Sequence, residues 1–87
     1  MASEILFTEH AWRDYLFWQR TDRRVLKRIN ELIRDAARSP SQGIGKPEPL
    51  RHELRGCWSR RIDSEHRLVY ETREGQIRII ACRYHYR

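Results

Sequence analysis

The apolar residues of this chain change period near residue 39, and that change decides its fold class. Val25, Leu26, Ile29, Leu32, Ile33, Ala36 and Ala37 recur at spacings of three and four with charges between them. At 100° per residue they form one helical stripe. Thr21-Asp22 is a capping signal ahead of it. Ser39-Pro40 ends it, because a residue before proline avoids the helical region. Upstream, Ala11, Trp12, Tyr15, Leu16 and Trp18 gather on one face of a helix from Ala11 to Gln19, which Thr8 can cap. Phe17 falls on the opposite side, between Arg13 and Arg20. Either this helix is embedded on two sides or Phe17 meets a partner. Ile5-Leu6-Phe7 reads as a short first strand.

All three prolines lie between Ser39 and Pro49, with Gly43 and Gly45, so this stretch is a loop. Beyond it the pattern predicts strands at Leu50–Leu54, Trp58–Ile62, His66–Thr72 and Ile77–Tyr86. Gly56, Asp63-Ser64-Glu65 and Glu74-Gly75 are the breaks between them. The expected order is β-α-α-β-β-β-β: an antiparallel sheet with a helical hairpin on one face, a two-layer α+β sandwich. Residues 1–87 make one domain, with too little volume for two cores.

Alternation turns Trp58, Ile62, Leu68 and Tyr70 toward the helices, with Arg60 on their parity. Arg61 and Arg67 then share the open face with Glu71. The last strand carries apolar residues on both parities. If Thr72 faces Gln76, Arg67 shares a face with Ala81, Arg83 and His85. A two-residue turn at Glu74-Gly75 puts it with Tyr84 and Tyr86 instead.

The net charge is +6, carried by 16 Arg and 2 Lys against 12 acids. Residues 51–87 hold nine arginines and five acids, so the C-terminal half is the stronger polyanion-binding face. No apolar run approaches the ~20 residues of a membrane span. Met1-Ala2-Ser3-Glu4 lacks the features of a secretory leader, so a cytoplasmic location is expected. Cys57 and Cys82 are expected as free thiols. Histidines at 10, 52, 66 and 85 show no metal-ligand spacing, and neither a metal nor a cofactor is expected.

Three residues have the chemistry to cleave RNA. Glu48, in Pro47-Glu48-Pro49, sits on a segment stiffened by two prolines, as suits a general base. Arg67, pointing out of a sheet among other cations, suits an anionic transition state. Its ordinary alternative is an ion pair with Glu71 or Asp63. His85, in Cys82-Arg83-Tyr84-His85-Tyr86-Arg87, can donate a proton near neutral pH, with tyrosines beside it to stack on bases and arginines to hold phosphate.

Six segments together resemble the YoeB-type toxins of the RelE/ParE superfamily. They are Trp12-x-x-Tyr15-Leu16-x-Trp18-Gln19, Lys27-x-Ile29-Asn30-Glu31-Leu32-Ile33, Gly45-Lys46-Pro47-Glu48-Pro49-Leu50, Trp58-Ser59-Arg60-Arg61-Ile62, Glu65-His66-Arg67-Leu68-Val69-Tyr70 and Ala81-Cys82-Arg83-Tyr84-His85-Tyr86. The likeness runs from Ile5 to Tyr86 without gaps.

The resemblance implies a toxin of a bacterial toxin–antitoxin pair that enters the A site of the 70S ribosome and cleaves mRNA there. It implies Glu48 as base, Arg67 as the transition-state cation and His85 as acid. It further implies Tyr86 as the residue packing on a base and Arg61 as a phosphate contact. Lys46, Arg51, Arg83 and Arg87 are further basic candidates. A YefM-type antitoxin and a homodimer are the implied protein partners. The family pattern ends at the residue matching Tyr86, and Arg87 follows it here, adding a cation. Three other readings stay open from sequence: a non-catalytic ribosome-binding inhibitor of translation, a ParE-like poison of DNA gyrase, and a plain RNA-binding module.

Overall fold

The computed structural model describes residues 2–85. Strand β1 (Glu4–Phe7) leads into helix α1 (Glu9–Thr21), and helix α2 (Arg23–Arg38) follows after one residue. The Thr8 hydroxyl caps α1 by accepting from Ala11 N–H. Asp22 serves both helices: its N–H donates to Trp18 O, ending α1, and its carboxylate accepts from Arg24 and Val25 N–H, starting α2. The α2 stripe is as expected, with Leu26, Ile29, Leu32, Ile33, Ala36 and Ala37 all buried. No helix among the described residues is long and apolar enough to cross a membrane.

Four further strands follow: β2 (Glu48–Pro49), β3 (Trp58–Arg61), β4 (Arg67–Arg73) and β5 (Gln76–Ala81). They form one five-stranded sheet in the order β1-β5-β4-β3-β2. The element order and the α+β class match the expectation, but the sheet is not wholly antiparallel. β1 runs parallel to β5, Ile5 opposite Ile77 and Phe7 opposite Ile79, because the helical hairpin returns the chain across the sheet. The predicted strand at Leu50–Leu54 is also corrected. The strand pairing is confined to Glu48–Pro49, and His52–Leu54 is a single 3-10 turn entered through His52 at φ +59°.

The last strand is shorter than its apolar run, ending at Ala81. Arg73 pairs with Gln76, so the turn is the two-residue one at Glu74-Gly75. Tyr70 faces Ile79 while Val69 faces Ala81, so Ile80 is an extra residue, a β-bulge. The bulge returns Ala81 to the face of Val69 and Arg67. The sheet thus combines the turn of one expected register with the face of the other.

Two apolar layers result. The main core packs α1 and α2 on Ile62, Leu68, Tyr70, Ile77 and Ile79. On the opposite face Leu50, Cys57 and Val69 form a smaller cluster with Leu54, Ile80 and Ala81. That second cluster is why both parities of β5 are apolar, and why the face expected to be open is partly covered. Phe17 is half-buried against the core: its ring stands edge-on to Trp18 at 5.0 Å, and the Arg83 guanidinium lies 3.5 Å from its centroid.

Candidate active site

The face away from the helices carries the predicted charges. Arg61 and Arg67 lie directly opposite each other on β3 and β4. Glu48 on β2 lies opposite Ser59, which lies opposite Val69, which lies opposite Ala81. Directly opposed residues share a face, so Glu48, Arg61 and Arg67 project from the same side. From strand spacings and rise, the Glu48 and Arg67 Cα atoms are roughly 12 Å apart, a span that two long side chains can close on one phosphodiester.

Glu48 is exposed, and it lines a depression together with Arg51 and Leu54. Lys46 is exposed two residues earlier, with φ at +53°. Arg67 is half-buried, and its guanidinium donates to the carbonyls of Asp63 (3.0 Å) and His66 (3.2 Å). The two carboxylates expected as its ion-pair partners are engaged elsewhere. Asp63 accepts from Glu65 and His66 N–H, and Glu71 pairs with Arg78 at 2.6 Å. The guanidinium is therefore braced by neutral oxygens and keeps its charge uncompensated by those two acids.

His85 is exposed and borders a groove lined by Thr8, His10, Leu54, Val69 and Ala81. Val69 and Ala81 belong to the row that starts at Glu48, so His85 borders the same face as the other two. The Arg83 guanidinium packs on aromatic rings, 3.5 Å from the Phe17 centroid and 4.5 Å from that of Tyr84. Tyr86 and Arg87 lie outside the described residues.

Among the described residues β5 ends at Ala81, and the segment after it is held largely by side chains. Cys82 N–H donates to Asp14 Oδ2 (3.0 Å), and Cys82 O accepts from the Trp18 indole N–H (2.8 Å). Tyr84 N–H donates to His66 Nδ1 (2.6 Å), and Tyr84 O accepts from Arg67 N–H (3.0 Å). Asp14, Trp18 and His66 had no part in the site expected from the sequence. Asp14 interrupts the apolar face between Ala11 and Trp18, and His66 shares the inward parity of Leu68 and Tyr70. A charged or imidazole group on an apolar face was the available sign.

Cys57 and Cys82 are free and buried, as expected. Burial, with Asp14 beside it, pushes the Cys82 thiol up to about 12. Burial, with Glu71 nearby, also raises Cys57. Neither is a nucleophile near neutral pH. Among the described residues no group of three or more His, Cys, Asp or Glu can hold a metal ion.

Comparison with known proteins gives one consistent answer. Residues 7–86 match the model for the YoeB-like toxin of bacterial type II toxin–antitoxin systems. Toxin YoeB of Escherichia coli K12 is 57% identical over 83 residues, covering 95% of this chain and 99% of that one. A YoeB/ParE toxin from Agrobacterium tumefaciens superposes with a TM-score of 0.91 at 49% identity, over 95% of this chain and 99% of that one. A YoeB dimer from Staphylococcus aureus, and a YoeB–YefM heterotetramer from the same organism, each superpose at 0.88 with 45% identity, over 95% of this chain and 97% of theirs.

Proposed function

Because this chain belongs to the YoeB-like toxin family of bacterial type II toxin–antitoxin systems, we propose that it is a ribosome-dependent endoribonuclease. It cuts mRNA in the A site of the 70S ribosome and so stops translation. The observation that carries this reading is the common face of Glu48, Arg61 and Arg67, with His85 bordering it.

In this reading the Glu48 carboxylate takes the proton of a ribose 2′-hydroxyl, and the 2′-oxygen attacks the adjacent phosphorus. Arg67 meets the negative charge that grows on the phosphorane oxygens. Arg61, directly opposite, holds the same phosphate or its neighbour. His85, as imidazolium, gives a proton to the departing 5′-oxygen. The products are a 2′,3′-cyclic phosphate and a free 5′-hydroxyl. Each proton that leaves one oxygen is matched by one delivered to another, so base, acid and cation suffice without a cofactor. Lys46, Arg51 and the remaining arginines supply attraction to the ribosomal RNA surround.

The S. aureus structures support a YefM-type antitoxin and a second copy of this chain as partners. Ile5, Leu6 and Trp12 are large apolar residues left exposed, as suits a protein contact. A cytoplasmic site of action follows from the ribosomal target.

The test is cleavage of an mRNA programmed into 70S ribosomes, mapped by primer extension, with wild type and His85→Gln in parallel. A cut at the A-site codon that the substitution abolishes is the expected result. Equal blocking of peptide synthesis by both proteins, with no cut, would replace the reading with a non-catalytic inhibitor. Toxicity with translation intact would point to gyrase.

A further inference from the structure

We propose that His66 is a positioning residue for His85, acting through the peptide of Tyr84; the inference rests on the nuclease reading above. Tyr84 adopts φ +65°, a left-handed conformation that a tyrosine does not hold without help. That turn, rather than a continued strand, brings the next residue to the groove. Both backbone groups of Tyr84 are taken: the N–H by His66 Nδ1 at 2.6 Å, the C=O by Arg67 N–H at 3.0 Å.

His66 is built for this. It is 8% exposed, its ring stands edge-on to Trp18 at 4.8 Å, and Trp18 itself holds Cys82 O. Accepting at Nδ1 requires the neutral ring with its proton on Nε2. Glu65 Oε1 lies 3.5 Å from Nε2, on the side that favours this tautomer. The backbone of one residue, Tyr84, thus links the segment of the proposed acid to that of the proposed transition-state cation. His66 sits next to Arg67 in sequence and one hydrogen bond from the residue before His85. Losing that bond frees the left-handed turn and with it the placement of the imidazole.

Two substitutions separate this role from packing. His66→Phe keeps a ring against Trp18 and removes the acceptor. His66→Asn offers an amide oxygen close to where Nδ1 stands. Amide-hydrogen exchange at Tyr84, thermal unfolding, 70S binding and single-turnover cleavage at saturating ribosomes are measured on the full chain. In His66→Phe, Tyr84 exchange is expected to rise about tenfold and cleavage to fall on the order of 100-fold, with ribosome binding nearly unchanged. His66→Asn is expected to recover part of both at similar thermal stability. A Tyr84 amide still protected in His66→Phe overturns the proposal. So does unchanged cleavage with the amide exposed, or an Asn variant no better than Phe. If the wild type does not cut mRNA, the nuclease reading fails, and the exchange comparison alone decides whether His66 anchors the tail.

Discussion

Arg60 Nη1, on β3, lies 2.5 Å from Asp35 Oδ2, on α2. Around that contact every N–H of the guanidinium is used. Nη1 also donates to Ile44 O, Nη2 to Ser39 O and Gln42 O, and Nε to the Tyr70 hydroxyl. Tyr70 in turn donates to Pro40 O. Arg60 is fully buried, which is tolerable for a cation only with all five donors satisfied. The segment from 39 to 44 is wound around it, and this segment delivers the chain to Glu48. The base of the proposed site therefore depends on an arginine that faces the opposite side of the sheet.

Arg60→Lys keeps the charge but brings three donors on one nitrogen where five were arranged in a plane. At least two of the five acceptors lose their partner. The expected cost is about 3 kcal/mol, read as a lower urea midpoint with unchanged slope. A loss under about 1 kcal/mol would mean that the loop does not depend on the network.

The same pair sets an acid limit. The hydrogen bond from Arg60 first, then that from Ile44 N–H, holds the Asp35 carboxyl below its usual value of 3.8. A depressed folded pKa means that the unfolded chain binds more protons as pH falls through this range. The stabilisation is complete above the unfolded value and lost below it. Stability should drop as pH falls below about 4, and Asp35→Asn should be weaker at pH 7 yet flatter between pH 5 and 2. Parallel pH profiles of the unfolding midpoint for the two proteins would sink this account.

Gly45 sits three residues before Glu48 with φ +80°, and its carbonyl accepts from Arg61 N–H at 2.7 Å. A methyl group there would stand 2.7 Å from Leu32 Cδ2, 3.1 Å from Arg60 Cβ and 3.2 Å from Arg61 O. Leu32 is fully buried and has nowhere to retreat. Gly45→Ala should cost about 2 kcal/mol, from the left-handed backbone and the crowding together. Thermal unfolding checks it, with Gly56→Ala as the control. Gly56 also has a positive φ, but no atom lies within 4 Å of an added methyl, so its loss should be the smaller.

Arg60 also shows what a sequence carries and what it hides. The α2 stripe and the capping signal at Thr21-Asp22 were legible because a helix is a local object; that Asp22 also ends α1 was not read. The common face of Arg61 and Arg67 was legible because Trp58 and Ile62 on one strand, and Leu68 and Tyr70 on the next, mark the inward parity and leave the two arginines on the other. Arg60 could be placed on the inward parity but not explained, since its partners are mostly loop carbonyls, which leave no mark on composition. The parallel pairing of β1 with β5 joins residues about seventy positions apart, and the Ile80 bulge breaks alternation without a glycine to announce it. The clamp on Cys82 and Tyr84 was hidden for the same reason: Asp14, Trp18 and His66 meet the tail only after the fold has closed. In the candidate site, residue types were readable and the device that positions His85 was not.

Arg61 and Arg67 make a last test, because stability and function should pull them apart. Two cations directly opposite on a sheet repel, and Glu71, the acid of that face on β4, is already paired with Arg78. Arg61 is exposed. Arg61→Gln should therefore raise stability by about 0.5 kcal/mol at low salt, a gain that shrinks as salt screens the pair. The same substitution should weaken binding to ribosomes and lower the salt dependence by about one unit in the slope of log K against log salt. Urea unfolding at low and high salt, beside a salt titration of 70S binding, reads both effects. A destabilised variant would show that the arginine pair is held together by the fold for packing, and unchanged binding would remove Arg61 from the phosphate contacts.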